Sequence, residues 1–338
     1  MVVLNTLKQL CALDGASGSE EQVRYFVTDR LSEMGLSYQV DALGSVIVEK
    51  KGARTPAQKR MVCAHMDEVA LIVTDVDGEG YLRFDCVGGI DEKVLPGKAV
   101  RVNGLAGVIG AVPIHLQKAE EREGEIPLRQ LRIDIGAASR EEAAQRVQLG
   151  DIAYFDTPFT PLGEGRIAAK AIDDRAGVAI LLALLKQPLQ NDCTFVFTTQ
   201  EEVGCRGAQA AAYTVAPDVA LVLEATTAAD NLGLPEGQRV CALGGGAVVG
   251  PMDRGTIYDR ELLQLARRIA EERAIPIQQK QGVFGGNDAG QIHRSRGGVK
   301  TLALSVPCRN LHTASCVASA ADIHAVYELA KGLIDAVD

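Results

Sequence analysis

Thr194-Phe-Val-Phe-Thr-Thr-Gln-Glu-Glu-Val-Gly204 joins a β-prone run to two adjacent carboxylates and a glycine. Adjacent carboxylates repel when both are ionised, so a buried strand that ends on them calls for a cation to neutralise the pair. Taken alone, the pair reads more simply as a strand running out into solvent, where acidic residues are common. Four other stretches, far apart in the chain, decide between the two.

Around this strand the chain alternates strands and helices. Ser19 to Met34 reads as a helix: Ser19 and Gln22 fit a capping box, Val23, Phe26, Val27, Leu31 and Met34 form an apolar stripe, and Gly35 stops it. Strands are predicted near Tyr38–Ala42 and Ser45–Glu49, then in the apolar run Arg60 to His65. After Ala168 come a buried helix from Asp173 to Gln187, the opening strand, a strand Val219 to Glu224 that also closes on a carboxylate, an amphipathic helix Asp259 to Arg273, a strand Val299 to Val306 and a last helix Ala320 to Val337. Continuous apolar strands alternating with helices predict an α/β fold, a mostly parallel or mixed sheet covered on both faces.

Between Val69 and Thr160 the texture changes. Glycines recur among short Val, Ile and Leu segments, the pattern of a small β-barrel. Ser139 to Val147 reads as a short helix opened by a Ser139–Glu142 capping box, and the charged stretch Gln117 to Arg129 as a mobile loop. The expected organisation is a discontinuous domain of residues 1–68 and 161–338 with a β-rich insertion at 69–160.

Composition narrows the function. A length of 338 residues suits two such domains, and a net charge of −9 argues against a nucleic-acid partner. The eight cysteines stand singly with no C-x-x-C pair, which argues against a zinc knuckle or thioredoxin motif and suits a reducing cytosol. Neither a signal peptide nor an apolar run of about 18 residues is legible, so a cytoplasmic protein without a membrane partner is expected. Gly244-Gly-Gly-Ala-Val-Val-Gly250 misses the dinucleotide-binding spacing by one residue and reads instead as a turn or a close approach to the site.

Ligands of an open α/β sheet bind at the carboxyl ends of its strands. Residues able to hold a metal gather at that edge: His65 and Asp67, Asp173 and Asp174, Glu201 and Glu202, Glu224, and His312. Each has an ordinary explanation alone; Asp173 would serve as a helix N-cap, with Asp174 favoured by the macrodipole. His115, His293 and His324 lack the placement and read as structural or surface residues. Two imidazoles with several carboxylates suit zinc, cobalt or manganese. Two ions about 3.5–4 Å apart would use so many acids, with Asp173 the choice for the bridge. In the Glu201–Glu202 pair one member can ligate while the other moves protons.

With these motifs in order, the chain resembles the tetrahedral aminopeptidase family, the glutamyl and deblocking aminopeptidases among the co-catalytic zinc peptidases. The resemblance spans essentially the whole length and rests on Ala64-His-Met-Asp-Glu68, Ala171-Ile-Asp-Asp-Arg-Ala-Gly177, Gln200-Glu-Glu-Val-Gly204, Gly285-Gly-Asn-Asp-Ala-Gly290 and Pro307-Cys-Arg-Asn-Leu-His312. It implies that His65 and Glu224 complete one metal site and Glu202 and His312 the other, bridged by Asp173; which of Glu202 and Glu224 serves which ion stays open. It further implies Glu201 as general base, Asp67 on the free nitrogen of His65, and the insertion as a dimerisation domain of a hollow twelve-subunit tetrahedron. Two departures stand out: Glu224 where the family more often has Asp, and Thr313-Ala-Ser-Cys316 where Ser-Pro and an acid usually follow the histidine.

The predicted activity is removal of the N-terminal residue of peptides by a metal-bound hydroxide, with Glu201 as base. The alternatives are a deacylase or carboxypeptidase on the same constellation, or a non-catalytic degenerate homologue. Side-chain preference is expected to depend on the loop Gly282–Gly290.

Overall fold

The computed structural model describes residues 2–116, 126–231 and 233–336. Its centre is four parallel strands, in the order Cys193–Thr198, Arg60–His65, Val219–Thr227 and Lys300–Arg309. Every residue of Cys193–Thr198 and Arg60–His65 is buried, so both faces of the sheet are covered there. That is why these runs are continuously apolar rather than alternating. Antiparallel strands extend both sides, Val46–Lys50 and Gln39–Val40 on one, Cys316–Ser319, Arg166–Ala169 and Thr160–Leu162 on the other. With Ala247–Val249 and Ile277–Gln279 they complete a mixed sheet of eleven strands. The helix Ile172–Leu185 lies buried along its length between the central strands and the N-terminal helix Val2–Leu10.

The glycine-rich region folds as a closed six-stranded barrel: Ala70–Val76, Leu82–Val87, Arg132–Asp134, Leu105–Gly110, Ala99–Val102 and Ile152–Phe155 in order round the ring. Leu71, Leu82, Val100, Ile109, Ile133 and Phe155 fill it as a core separate from that of the large sheet. Closure pairs every strand on both sides, so short strands suffice without leaving an edge.

Several local expectations change. The helix predicted from Ser19 spans Glu21–Glu33 and has no side-chain cap. Gln22 accepts instead from the Asp14 amide at 3.3 Å, so it is not available to close a capping box. At the second box Ser139 does accept from the Glu142 amide, and Glu142 reaches back to the Ala138 amide. Glu224 does not close its strand, because pairing with the neighbouring strand continues to Thr227 opposite Cys308. Of the two readings of the glycine run, the turn is the one seen: it turns at Leu243–Gly244, and Gly244 and Gly246 donate their amides to the buried Asp322 carboxylate at 2.7 and 2.8 Å. Of the charged stretch 117–129, residues 117–125 lie outside the described residues, and Leu128–Gln130 forms a 3-10 turn. No helix among the described residues is long and apolar enough to cross a membrane.

One close approach sets the end of the opening strand. The helix Arg206–Val215 starts directly against Thr199, and a methyl on Gly207 would stand 2.5 Å from the Thr199 carbonyl oxygen and 2.6 Å from its nitrogen. Both atoms are backbone and cannot swing away. Gly207→Ala is therefore expected to lower stability by about 1–3 kcal/mol, read as an earlier midpoint in urea unfolding. An unchanged midpoint would show that the strand end is free to shift.

Candidate metal centre

Sheet register brings the first pair of residues together. Val222 pairs with Cys63, which sets Glu224 level with His65 on the adjoining strand, and Thr198 pairs with His65 from the other side. Residues level on neighbouring strands share a face. His65 and Glu224, 159 positions apart by their own numbers, thus meet: His65 Nε2 lies 3.4 Å from Glu224 Oε1.

Asp173 reaches the same place by a break in its helix. Ala171 is left-handed and Asp173 and Asp174 have non-helical backbone, so the first turn is irregular. Its two oxygens face different imidazoles, Oδ1 at 3.3 Å from His65 Nε2 and Oδ2 at 3.3 Å from His312 Nε2. His312 Nε2 is also 3.3 Å from Glu202 Oε2. The expected N-cap role belongs to the neighbour: Asp174 Oδ1 accepts from the Gly177 amide at 2.9 Å.

Both rings are oriented from behind. His312 Nδ1 lies 2.9 Å from the Gly89 carbonyl of the barrel region, and His65 Nδ1 lies 3.1 Å from the Asp67 carbonyl and 3.4 Å from its carboxylate. A ring whose Nδ1–H donates to a carbonyl presents Nε2 forward, the arrangement that prepares an imidazole as a ligand. Asp67 also accepts from Ser17 Oγ at 2.6 Å and from the Glu201 and Glu202 amides at 3.0 and 3.1 Å. One carboxylate thereby ties the end of the opening strand to His65.

The electrostatics of this cluster are unbalanced. Burial first, then the Asp173 charge, pushes Glu202 up to about 8; burial and Asp173 likewise push Glu224 up to about 8 against the pull of His65. Burial followed by Glu224 holds Asp174 well above the carboxylate range, and burial holds Glu201 there despite His65. Burial would lower both histidines, but Asp173 and Glu202 carry His312 up to about 10, and Glu224 with Asp173 and Asp67 carries His65 well up. Asp173 goes the other way: burial opposes ionisation, and hydrogen bonds to His312 and His65 override it. Among the described residues nothing donates a hydrogen bond to buried Glu224 Oε2 or Asp174 Oδ2. Oxygens of this kind, beside forward-facing imidazoles, fit divalent cations. His65, Asp173 and Glu202, and separately Asp173, Asp174 and Glu224, offer ligand atoms within 4.8 Å of one another.

Further residues of the neighbourhood carry no assignment from sequence. Lys170 Nζ bonds both Glu68 oxygens at 2.7 and 2.9 Å, and Arg175 donates to Glu68, to the Met66 carbonyl at 2.8 Å and to the Leu10 carbonyl at 2.8 Å. This buried cluster locks the helix start to the strand end at His65. Its signal was an arginine following the acidic pair at the head of an apolar helix. Asp288, on the short helix after Gly285-Gly-Asn, accepts from Thr198 Oγ1 at 2.6 Å and stands beside Glu201 and Cys205. The altered loop after His312 makes its own turn, Thr313 Oγ1 donating to the Asn310 carbonyl at 2.8 Å, and still presents the histidine. His293 bonds the Ala289 carbonyl, and His324 stacks on Tyr327, both away from the cluster.

Fold and donor set together define the class: an α/β protein with a cluster of candidate cation ligands at the carboxyl edge of its sheet. The sequence profile described as M42 glutamyl aminopeptidase matches residues 44–329, and the chain belongs to that family of aminopeptidases. It is 34% identical to the lysyl aminopeptidase of Pyrococcus furiosus, over 99% of this chain and 97% of the relative. The crystal structure of a TET aminopeptidase from a marine-sediment Thaumarchaeota archaeon superposes with a TM-score of 0.94 at 34% identity, covering 99% of this chain and 96% of the other. The TET1 peptidase of Pyrococcus horikoshii, which can assemble into a tetrahedron or a large octahedral shell, superposes at 0.86 with 35% identity, covering 99% of this chain and all of the other.

Cation binding here must displace protons from groups raised to about 8 and about 10. Affinity for a divalent ion therefore rises with pH, by about tenfold per unit for each proton displaced. Isothermal titration of chelator-treated protein with zinc at pH 6, 7 and 8 is expected to show this rise together with proton release. A pH-independent affinity would count against these ligands.

Proposed function

We propose that the protein removes the N-terminal residue of peptides at a site holding two divalent ions, with zinc first in order and cobalt or manganese as alternatives. His65 and Glu224 would hold one ion and His312 and Glu202 the other, with Asp173 able to serve both. The reading is carried by one observation: the two oxygens of Asp173 face the two imidazoles, and each imidazole has its own glutamate at 3.3–3.4 Å. Ions bound there would supply a water acidic enough to ionise near neutral pH and an electrophile for the scissile carbonyl.

The remaining work falls to the chain. Glu201 makes no close approach to either imidazole among the described contacts and lines two of the cavities that reach the cluster. Burial raises its proton affinity, which suits a group that takes a proton from the attacking water and returns it to the leaving nitrogen. Cys205 Sγ approaches its Oε1 at 3.4 Å and steadies the side chain. Asp67 orients His65 and holds the backbone of Glu201 and Glu202 in place. Beside Glu224 a cavity of about 170 Å³, bordered by Lys280, Phe284 and Leu311, has room for a single side chain. An amine lodged among the carboxylates at its mouth would account for cleavage after one residue.

The same reading assigns residues 1–68 and 161–338 to a catalytic domain and 69–160 to a dimerisation domain. Val108, Leu149 and Tyr81 are exposed on the barrel region, and assembly of the Pyrococcus horikoshii relative into closed shells supports self-association, as dimers and then a tetrahedral dodecamer. Eight free cysteines favour a reducing, cytoplasmic setting.

Glu201→Gln is expected to keep two ions per subunit and an unchanged fold while losing about 10²–10⁴-fold in kcat on aminoacyl anilides. His312→Ala should lose bound metal, measured by elemental analysis after gel filtration. Near-wild-type turnover by Glu201→Gln would remove it from the role of base.

A further inference from the structure

The cavity bounded by Glu201, Glu202 and His312 does not end at the metal-ligand cluster. It has a volume of about 320 Å³ and shares Gln291 and Arg294 with a broader groove of about 750 Å³. The groove runs between the helix Arg206–Val215 and the turn after Ala289–Ile292, and Arg206, Arg294 and Arg296 stand along it, all exposed. The single-residue cavity beside Glu224 lies on the other side and shares no lining residue with the groove.

The charge of this groove is opposite to that of the molecule. The chain carries 44 acidic against 35 basic residues, yet among the described residues no carboxylate lines the groove. Among the described residues the contacts of the Arg294 and Arg296 guanidiniums are to backbone and ring. Arg294 Nε donates to the Gly290 carbonyl at 2.8 Å. Arg296 donates through Nε and Nη2 to the Tyr213 carbonyl and lies over the Tyr213 ring at 4.2 Å. Such contacts use part of a guanidinium's five donors and hold the side chain in place, and the planar fork suits a carboxylate.

We propose that this groove binds the part of the substrate that follows the cleaved bond, and that it selects peptides rich in aspartate or glutamate there. The inference rests on the aminopeptidase reading, with the first residue in the cavity beside Glu224 and the chain leaving past Glu202 and Arg294. Acidity downstream of the cleaved bond is a separate preference from that for the first residue, because different side chains line the two spaces.

Three peptides that share their first two residues and continue with aspartates, serines or lysines test it. The aspartate peptide is expected to exceed the lysine peptide in kcat/KM by about tenfold at low ionic strength, with the gap narrowing as salt screens it. In the Arg206→Glu, Arg296→Glu double variant the ratio should fall to one or invert; if that variant folds poorly, Arg206→Gln with Arg296→Gln gives the same comparison. Fluorescence anisotropy of the aspartate peptide, labelled at its C-terminus, on Glu201→Gln protein reads binding without turnover and should weaken with the same changes. Equal kcat/KM for the three peptides, or a preference that charge reversal leaves unmoved, overturns the proposal. So does a change of particle size on gel filtration with the peptide ratio intact, which would make the groove a contact between copies. If the wild type cleaves no peptide yet the labelled one still binds through these arginines, the groove stands and the aminopeptidase reading fails.

Discussion

Mutual repulsion among buried carboxylates is the constraint on which this structure turns. Asp173, Asp174, Glu202, Glu224 and Asp288 meet at one edge of the sheet beside Glu201, and only His65 and His312 stand among them with a compensating charge. Like charges removed from water are among the most unfavourable contacts a protein can hold, unless protons or cations intervene. Burial and this repulsion raise the proton affinity of the other acids, whereas that of Asp173 is lowered because both imidazoles face it. The same imbalance gives the cluster the donor chemistry that suits divalent ions.

A cluster under such repulsion keeps its shape only if its members are held from behind, and the surrounding structure is arranged accordingly. Asp67 grips the Glu201 and Glu202 amides while its own carbonyl orients His65. Glu68, Lys170 and Arg175 form a buried ionic knot joining that strand end to the helix that carries Asp173. Gly89, just after the barrel strand Leu82–Val87, orients His312, and Arg101 on the barrel pairs with Asp14 of the large domain, so the two cores are tied together beside the cluster. At Gly177 a methyl would collide with the Asp174 carboxylate at 2.2 Å, which explains why the turn after the acidic pair carries glycine.

Much of this was legible in the chain. Continuous apolar runs marked Arg60–His65 and Cys193–Thr198 as strands covered on both faces, and dense glycines marked the barrel. The candidate ligands were found because each falls near the end of a strand or the start of a helix. What escaped was long-range or depended on atoms rather than patterns. Gln22 suited a capping box until the Asp14 amide claimed it. Glu224 looked like the end of a strand because only the partner strand reveals that pairing runs on to Thr227. The glycines at 244 and 246 answer to Asp322, a residue 76 positions beyond the second of them.

The amino-acid sequence by itself determined the kinds of element, the separate β-rich insertion and the inventory of donors, since these follow from local periodicity and from chemistry that each residue carries alone. Tertiary structure alone decided which donors share a space. A one-residue slip between Arg60–His65 and Val219–Thr227 would send His65 and Glu224 to opposite faces. A regular first turn at Asp173 would likewise change where its carboxylate points. The arginine groove is equally a product of assembly, made where two helices distant in the chain lie side by side. Register, helix breaks and helix packing are long-range outcomes, and no local pattern in the chain encodes them.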